Sequence, residues 1–81
     1  MKLPRDVSGQ DLAQRLRHYG YEVTRQVGSH MRLTTQERGQ HHVTIPAHDA
    51  LRVGTLEFIL DSVAHHLSLD RQELAQRLFG V

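Results

Sequence analysis

Residues 21–35 read YEVTRQVGSHMRLTT, two alternating polar and apolar stretches joined by a glycine and a serine. Alternation with a period of two is typical of half-buried strands, and glycine beside a short polar residue is typical of a tight hairpin turn. In the second stretch, Met31 and Leu33 are predicted to face a core, with His30 and Arg32 on the opposite face. The sequence therefore predicts a hairpin with an imidazole and a guanidinium on its outer face.

The first stretch, Tyr21–Val27, is less regular than the second. Alternation predicts that Tyr21, Val23 and Val27 point toward the core. Arg25 interrupts this inner row. It marks either the place where the strand leaves the core or a turn toward a ligand.

The rest of the chain predicts helices around this hairpin and one more strand. Helical spacing, capping residues and alternation define them. The predicted elements are a helix over Ser8–Tyr19, a strand over His41–Ile45, a helix opening at Gly54 and a helix over Asp70–Phe79. Short connections make the strands antiparallel. The predicted class is α+β, a three-stranded antiparallel sheet with helices on one face and the other face uncovered.

The length and composition limit the kinds of protein that this chain can be. Eighty-one residues allow a single domain over 1–81, with a core at about 8–67 and an additional C-terminal helix at about 70–79. The chain has no cysteine, which excludes disulfides and thiolate zinc sites. No apolar run approaches the roughly 20 residues of a membrane span, and the first residues lack an apolar signal-peptide centre. We therefore expect a cytoplasmic protein without membrane contact.

The charge is unevenly distributed. Residues 1–52 carry eight Lys or Arg against five Asp or Glu, whereas residues 53–81 carry two against four. Nine of the ten basic residues are arginine, whose planar fork of donors suits phosphate. The first two thirds could therefore form a basic face, although ordinary solvated surface charge explains the same numbers.

His30 is the principal candidate for chemistry among seven histidines. Imidazole titrates near pH 6.5, so it can exchange protons at neutral pH as a general acid or base. A solvent-facing strand histidine without a role is the alternative. His48 is a weaker candidate that depends on the third strand lying beside the second. Ser29 is interpreted as a turn residue and Gly28 as a backbone requirement or a place of close phosphate approach.

The paired histidines do not predict a metal site. His41 and His42 are adjacent on a strand and point to opposite faces, while His65 and His66 diverge by about 100 degrees on a helix. Neither pair can hold one ion without further ligands. We predict neither a metal nor a cofactor.

Four motifs in order resemble the HicA family of bacterial toxins. They are Gly20-Tyr21, Arg25-Gln26-Val27-Gly28-Ser29-His30, Val43-Thr44-Ile45-Pro46-Ala47-His48, and Gly54-Thr55-Leu56 with Ile59-Leu60. The resemblance covers about residues 8–63. Met31 stands where many relatives have a second histidine, Asp49 stands where a glycine is common, and the chain continues past the usual end of the family.

The resemblance implies a fold like double-stranded RNA-binding domains. It also implies a type II toxin that cleaves mRNA as a metal-independent endoribonuclease, with His30 catalytic in an active-site loop containing Gly28 and Ser29. Its partners would be single-stranded mRNA and a HicB-type antitoxin, with a homodimer as a further prediction. On this basis Arg32, with Arg25 and Arg38, is predicted to contact RNA phosphates.

Two other functions fit the same residues. The first is a non-catalytic RNA-binding module in which His30 only donates or accepts a hydrogen bond. The second is an interaction protein that binds a partner through its acidic C-terminal helices.

Overall fold

The computed structural model describes residues 3–80, which form two layers, helices against one face of a sheet. The elements are α1 (Gly9–Leu16), β1 (Glu22–Val27), β2 (His30–Thr35), β3 (His41–Pro46), α2 (Val53–Leu67) and α3 (Arg71–Phe79). The first helix was predicted to run to Tyr19, but it changes after Leu16 to a 3₁₀ turn over Arg17–Tyr19. The sheet order is β1-β2-β3, and both neighbouring pairs are antiparallel. The predicted α+β class, the α-β-β-β-α order of double-stranded RNA-binding-domain-like folds and the additional C-terminal helix are confirmed.

Two of the helices begin at the capping residues that the sequence indicates. The Ser8 hydroxyl accepts a hydrogen bond from the Asp11 backbone N–H at 2.9 Å. The Asp70 carboxylate accepts one from the Glu73 backbone N–H at 2.7 Å. Each contact satisfies a backbone donor that the first turn leaves free, which typically stabilises a helix by about 1 kcal/mol.

The core lies between the helices and one face of the sheet. On that face Met31 pairs with Ile45 and Leu33 pairs with Val43, and all four side chains are buried. We call the opposite side the open face. It carries Glu22, Arg25, Val27, His30, Arg32, Thr34, His42, Thr44 and Pro46. Within residues 3–80 no helix packs on the open face, so its side chains are free to meet a ligand.

A β-bulge in β1 changes which side chains reach the open face. The pairing register between β1 and β2 shifts between Val23 and Arg25. An extra residue in one strand moves every following side chain to the other face. Beyond the shift, Arg25 pairs with Arg32 and Val27 pairs with His30. The prediction that Val27 points toward the core is therefore wrong, and its side chain is 61% exposed.

The start of α1 is held against the end of β3. The Gly9 N–H donates to the His48 carbonyl at 2.9 Å. A Cβ atom on residue 9 would lie 1.8 Å from the Pro46 carbonyl oxygen, so only glycine permits this approach. The contact ties the first helix to the end of the sheet at which His30 lies.

The last helix extends the core. Leu74 and Leu78 are buried. Arg71 forms ion pairs with Glu57 and Asp61 of α2, both at 3.4 Å. None of the helices within residues 3–80 is long and apolar enough to span a bilayer.

Candidate active site

His30 follows a tight turn at one end of the sheet. Gly28 and Ser29 form the two-residue loop between β1 and β2. Gly28 has φ +57°, whereas Ser29 is not in the positive-φ region, which is the pattern of a type II′ turn. A Cβ atom on residue 28 would meet nothing within 4 Å, so the backbone conformation and not lack of space requires glycine. The turn determines the position of His30, the first residue of β2. The His30 side chain is exposed.

The first row of the open face places the imidazole between two apolar neighbours. Val27 of β1 and Pro46 of β3 lie directly opposite His30 on either side. Side chains directly opposite each other on one face are close enough to touch. Neither neighbour offers a hydrogen-bonding group from its side chain, so the imidazole remains available to a ligand.

The second row brings two arginines together. Arg25 lies directly opposite Arg32, and Thr44 lies on the other side of Arg32. Like charges directly opposite each other are destabilising unless an anion lies between them. The four ion pairs found within residues 3–80 involve other arginines, at positions 15, 71 and 77. The row is therefore a place where a bound phosphate would relieve repulsion.

The third row is a hydroxyl and imidazole network. The Thr34 hydroxyl lies 2.8 Å from the Thr24 hydroxyl and 2.8 Å from Nδ1 of His42. The row of His42 is four positions along the strands from the row of His30, which is about 13 Å. His42 is therefore too distant to share a reaction with His30.

Arg38 does not join the other two arginines. It lies in the loop after β2, at the opposite end of that strand from His30. Its Nη1 donates to the Leu67 carbonyl at 2.6 Å, at the end of α2. A basic side chain at this position stabilises the helix C-terminus, because the last carbonyls carry partial negative charge.

A second group of polar side chains lies under the other end of the sheet. The Tyr21 hydroxyl is 2.7 Å from Nδ1 of His41, and the Ser62 hydroxyl is 3.3 Å from its Nε2. Burial, with a smaller effect of Glu37, raises the pKa of Tyr21 to about 12. The phenol is therefore neutral, and it shares with Nδ1 of His41 a hydrogen bond in which either atom can be the donor. The His41 side chain therefore links Tyr21 to Ser62 of α2.

The histidines of this group stack instead of chelating. The rings of His41 and His66 lie 4.5 Å apart with an interplanar angle of 11°. Nε2 of His66 donates to the Glu37 carbonyl at 2.8 Å. Within residues 3–80 no three His, Asp or Glu side chains converge as a metal site requires. No local sequence pattern indicated the stack, since it joins one member of each histidine pair across two elements.

The histidine stack makes the fold sensitive to acid. Burial, and then the neighbouring His66, His42 and His65, lower the pKa of His41. The unfolded chain therefore binds a proton more readily than the folded chain as the pH falls below about 6.5, so stability is present above that pH and lost below it. We expect the thermal midpoint to fall between pH 7 and pH 5, and the fall to be smaller in His41→Asn. His18→Gln serves as the control and should keep the full pH dependence, whereas equal pH dependence in all three proteins would contradict the assignment.

Comparison with known families adds to this geometry. A family model described as the HicA toxin of bacterial toxin–antitoxin systems matches residues 9–63. The chain belongs to the HicA toxin family. The part matched to HicA runs from the start of α1 into α2 and contains the whole sheet with His30, while α3 lies beyond it. Neither the curated proteins nor the solved structures contain a match to the chain.

Proposed function

We propose that this HicA-family protein is the toxin of a type II toxin–antitoxin system and a metal-independent endoribonuclease that cleaves mRNA. The observation that carries the proposal is an exposed imidazole, His30, one row from the paired guanidiniums of Arg25 and Arg32. Family membership supports the toxin role. The uncovered sheet face supports a polymer substrate, since it is open along its length.

Cleavage without a metal requires three things at one phosphodiester. A base must remove the 2′-hydroxyl proton, cations must stabilise the charge on phosphate, and an acid must protonate the leaving 5′ oxygen. In the proposed reaction His30 performs one proton transfer. Arg25 and Arg32 bind the phosphate oxygens, because guanidinium forks donate pairs of hydrogen bonds to them. Gly28 and Ser29 contribute by fixing the turn that presents the imidazole.

The direct test uses purified protein and single-stranded RNA in the presence of a chelator. The proposal expects fragments ending in 2′,3′-cyclic phosphate, detected by mass spectrometry, with 5′-hydroxyl ends on the other side of each cut. Binding without products would instead support a non-catalytic RNA-binding module. Absence of both products and binding at low salt would favour the interaction protein.

The paired arginines give a quantitative prediction for RNA affinity. For single-stranded RNA the plot of log affinity against log salt has a slope of about −0.7 per phosphate contact. The double variant Arg25→Gln/Arg32→Gln loses two contacts, so the magnitude of its slope should fall by about 1.4. Arg38→Gln is the matched control, because this arginine binds the end of α2. Filter binding at several salt concentrations measures all three proteins. An unchanged slope in the double variant would contradict the phosphate role of the pair.

The proposed protein partner is a HicB-type antitoxin that covers the open face. Co-expression with such an antitoxin should protect cells from the toxin, and the purified complex should not cleave RNA. A homodimer stays a prediction, to be checked by light scattering of the isolated protein.

A further inference from the structure

A second imidazole lies at the same end of the sheet as His30. His30 pairs with Pro46, the last residue of β3. The ladder continues one residue further, because the Ala47 N–H donates to the Ser29 carbonyl at 2.6 Å. His48 is the next residue, so it lies alongside the turn that precedes His30.

The hydrogen bonds also fix the side of the strand on which His48 lies. In an antiparallel ladder, successive residues direct their backbone groups to opposite edges and their side chains to opposite faces. Ala47 bonds toward β2, whereas the His48 carbonyl bonds away from β2, to the Gly9 N–H of α1. His48 therefore follows the same alternation as Pro46, which lies on the open face.

Continuing the alternation of β3 two residues beyond Pro46 makes His48 the diagonal neighbour of His30. Diagonal neighbours on one face are about 7–8 Å apart, within reach of aromatic side chains. Both histidines are exposed. His48 also lines a pocket with Pro46, Arg52 and Thr55. A phosphodiester placed over Pro46 would lie between the two imidazoles.

On the basis of the proposed ribonuclease function, we propose that His48 is the second proton-transfer residue, complementary to His30. One neutral imidazole takes the 2′-hydroxyl proton while the 2′ oxygen forms a bond to phosphorus. The P–O5′ bond breaks, its electron pair stays on the 5′ oxygen, and the other, protonated imidazole donates a proton to that oxygen. The products are a 2′,3′-cyclic phosphate and a 5′-hydroxyl. The two histidines end in exchanged protonation states, which proton exchange with water resets.

The charged groups near the two imidazoles lie on β1, on β2 and in the segment after β3. Arg25 of β1 and Arg32 of β2 occupy the row next to His30. Asp49 follows His48 in the chain, and Arg52 lines its pocket. These groups are the same in the wild type and in the variants. A change in the pH profile when one histidine is replaced can therefore be assigned to that histidine.

The first experiment compares His48→Gln with wild type and with His65→Gln, a control histidine exposed on α2. Cleavage of single-stranded RNA is measured from pH 5 to pH 9, and RNA affinity is measured separately. We expect His48→Gln to cleave about 10²–10⁴-fold more slowly with unchanged affinity, and a bell-shaped profile to lose one of its limbs. His65→Gln should keep the wild-type rate and both limbs. A purely structural role for His48 would lower the rate and leave the bell shape intact.

The second experiment identifies the roles through the leaving group. An RNA with sulfur replacing the bridging 5′ oxygen releases a thiolate, which needs no acid. We expect this substrate to restore cleavage in one of the two variants His30→Gln and His48→Gln and to leave the other slow. Wild-type rates in His48→Gln, or rescue of neither variant, would overturn the proposal while cleavage by wild type stands. Failure of wild type to cleave any RNA would overturn the ribonuclease function itself.

The fold of the variant is checked independently. The His48 carbonyl, not its side chain, makes the hydrogen bond to α1. We therefore expect His48→Gln to keep the wild-type thermal midpoint. If it does not, His48→Asn repeats the pH profile and sulfur rescue, and a bell-shaped profile in that variant counts against the proposal.

Discussion

Replacing His30 with alanine is expected to reduce RNA cleavage by about 10²–10⁴-fold, because one proton transfer loses its positioned group. Toxicity in cells should disappear with it. The fold should be unaffected, since the side chain is exposed and its neighbours Val27 and Pro46 pair through the backbone of the sheet. Cleavage of labelled RNA gives the rate, and thermal unfolding monitored by circular dichroism verifies the fold.

His42→Ala is the matched control for this experiment. It removes an exposed imidazole from the same sheet face, two rows from His30. We expect its cleavage rate to stay near that of wild type. Full activity in a folded His30→Ala protein would contradict the catalytic assignment, and equal losses in both variants would indicate that imidazoles on this face serve binding.

The largest expected loss of stability comes from Gly9→Ala. The added methyl group would lie 1.8 Å from the Pro46 carbonyl oxygen and 3.1 Å from the Ala47 Cα atom. Backbone atoms cannot move aside as a flexible side chain can, so α1 must shift away from β3. Overpacking of this kind typically costs about 1–3 kcal/mol, occasionally more. Each kcal/mol lowers the thermal midpoint of a domain this size by about 4–8 °C.

Gly54→Ala is the control for backbone effects. Gly54 lies in the first turn of α2, and a Cβ atom there would meet nothing within 4 Å. Alanine also favours helix by up to about 1 kcal/mol over glycine, so this variant should melt at or above the wild-type temperature. Similar midpoints for Gly9→Ala and wild type would show that α1 can separate from β3 without cost.

The sequence allowed the elements of the fold to be predicted wherever the local pattern was complete. The alternation of Met31 and Leu33 correctly indicated the inner face of β2, and the caps at Ser8 and Asp70 correctly indicated where helices begin. The orientation of Val27 was not predictable, because one extra residue in β1 reverses every later side chain. Arg25, which interrupts the inner row in the sequence, was the only local sign of that bulge.

The candidate site was predictable only where its members lie on one strand. His30 and Arg32 share a face by alternation within β2. The pairing of Arg25 with Arg32 depends on the bulge, and the approach of Gly9 to Pro46 joins distant segments. Such contacts depend on packing and strand register, so a local sequence pattern does not predict them. Arg38 shows the same limit, since its bond to Leu67 places it away from the other two arginines.

The succession of strands has a consequence for how the chain folds. Each strand pairs with the next one along the chain, through a two-residue turn and a short loop, so the sheet needs few distant encounters to form. Closing short loops costs little entropy, and domains rich in local contacts fold quickly. The bond from Gly9 to His48 instead closes a loop across the whole sheet. We therefore expect the hairpin bearing His30 to form early, and α1 to dock onto the finished sheet as a later step.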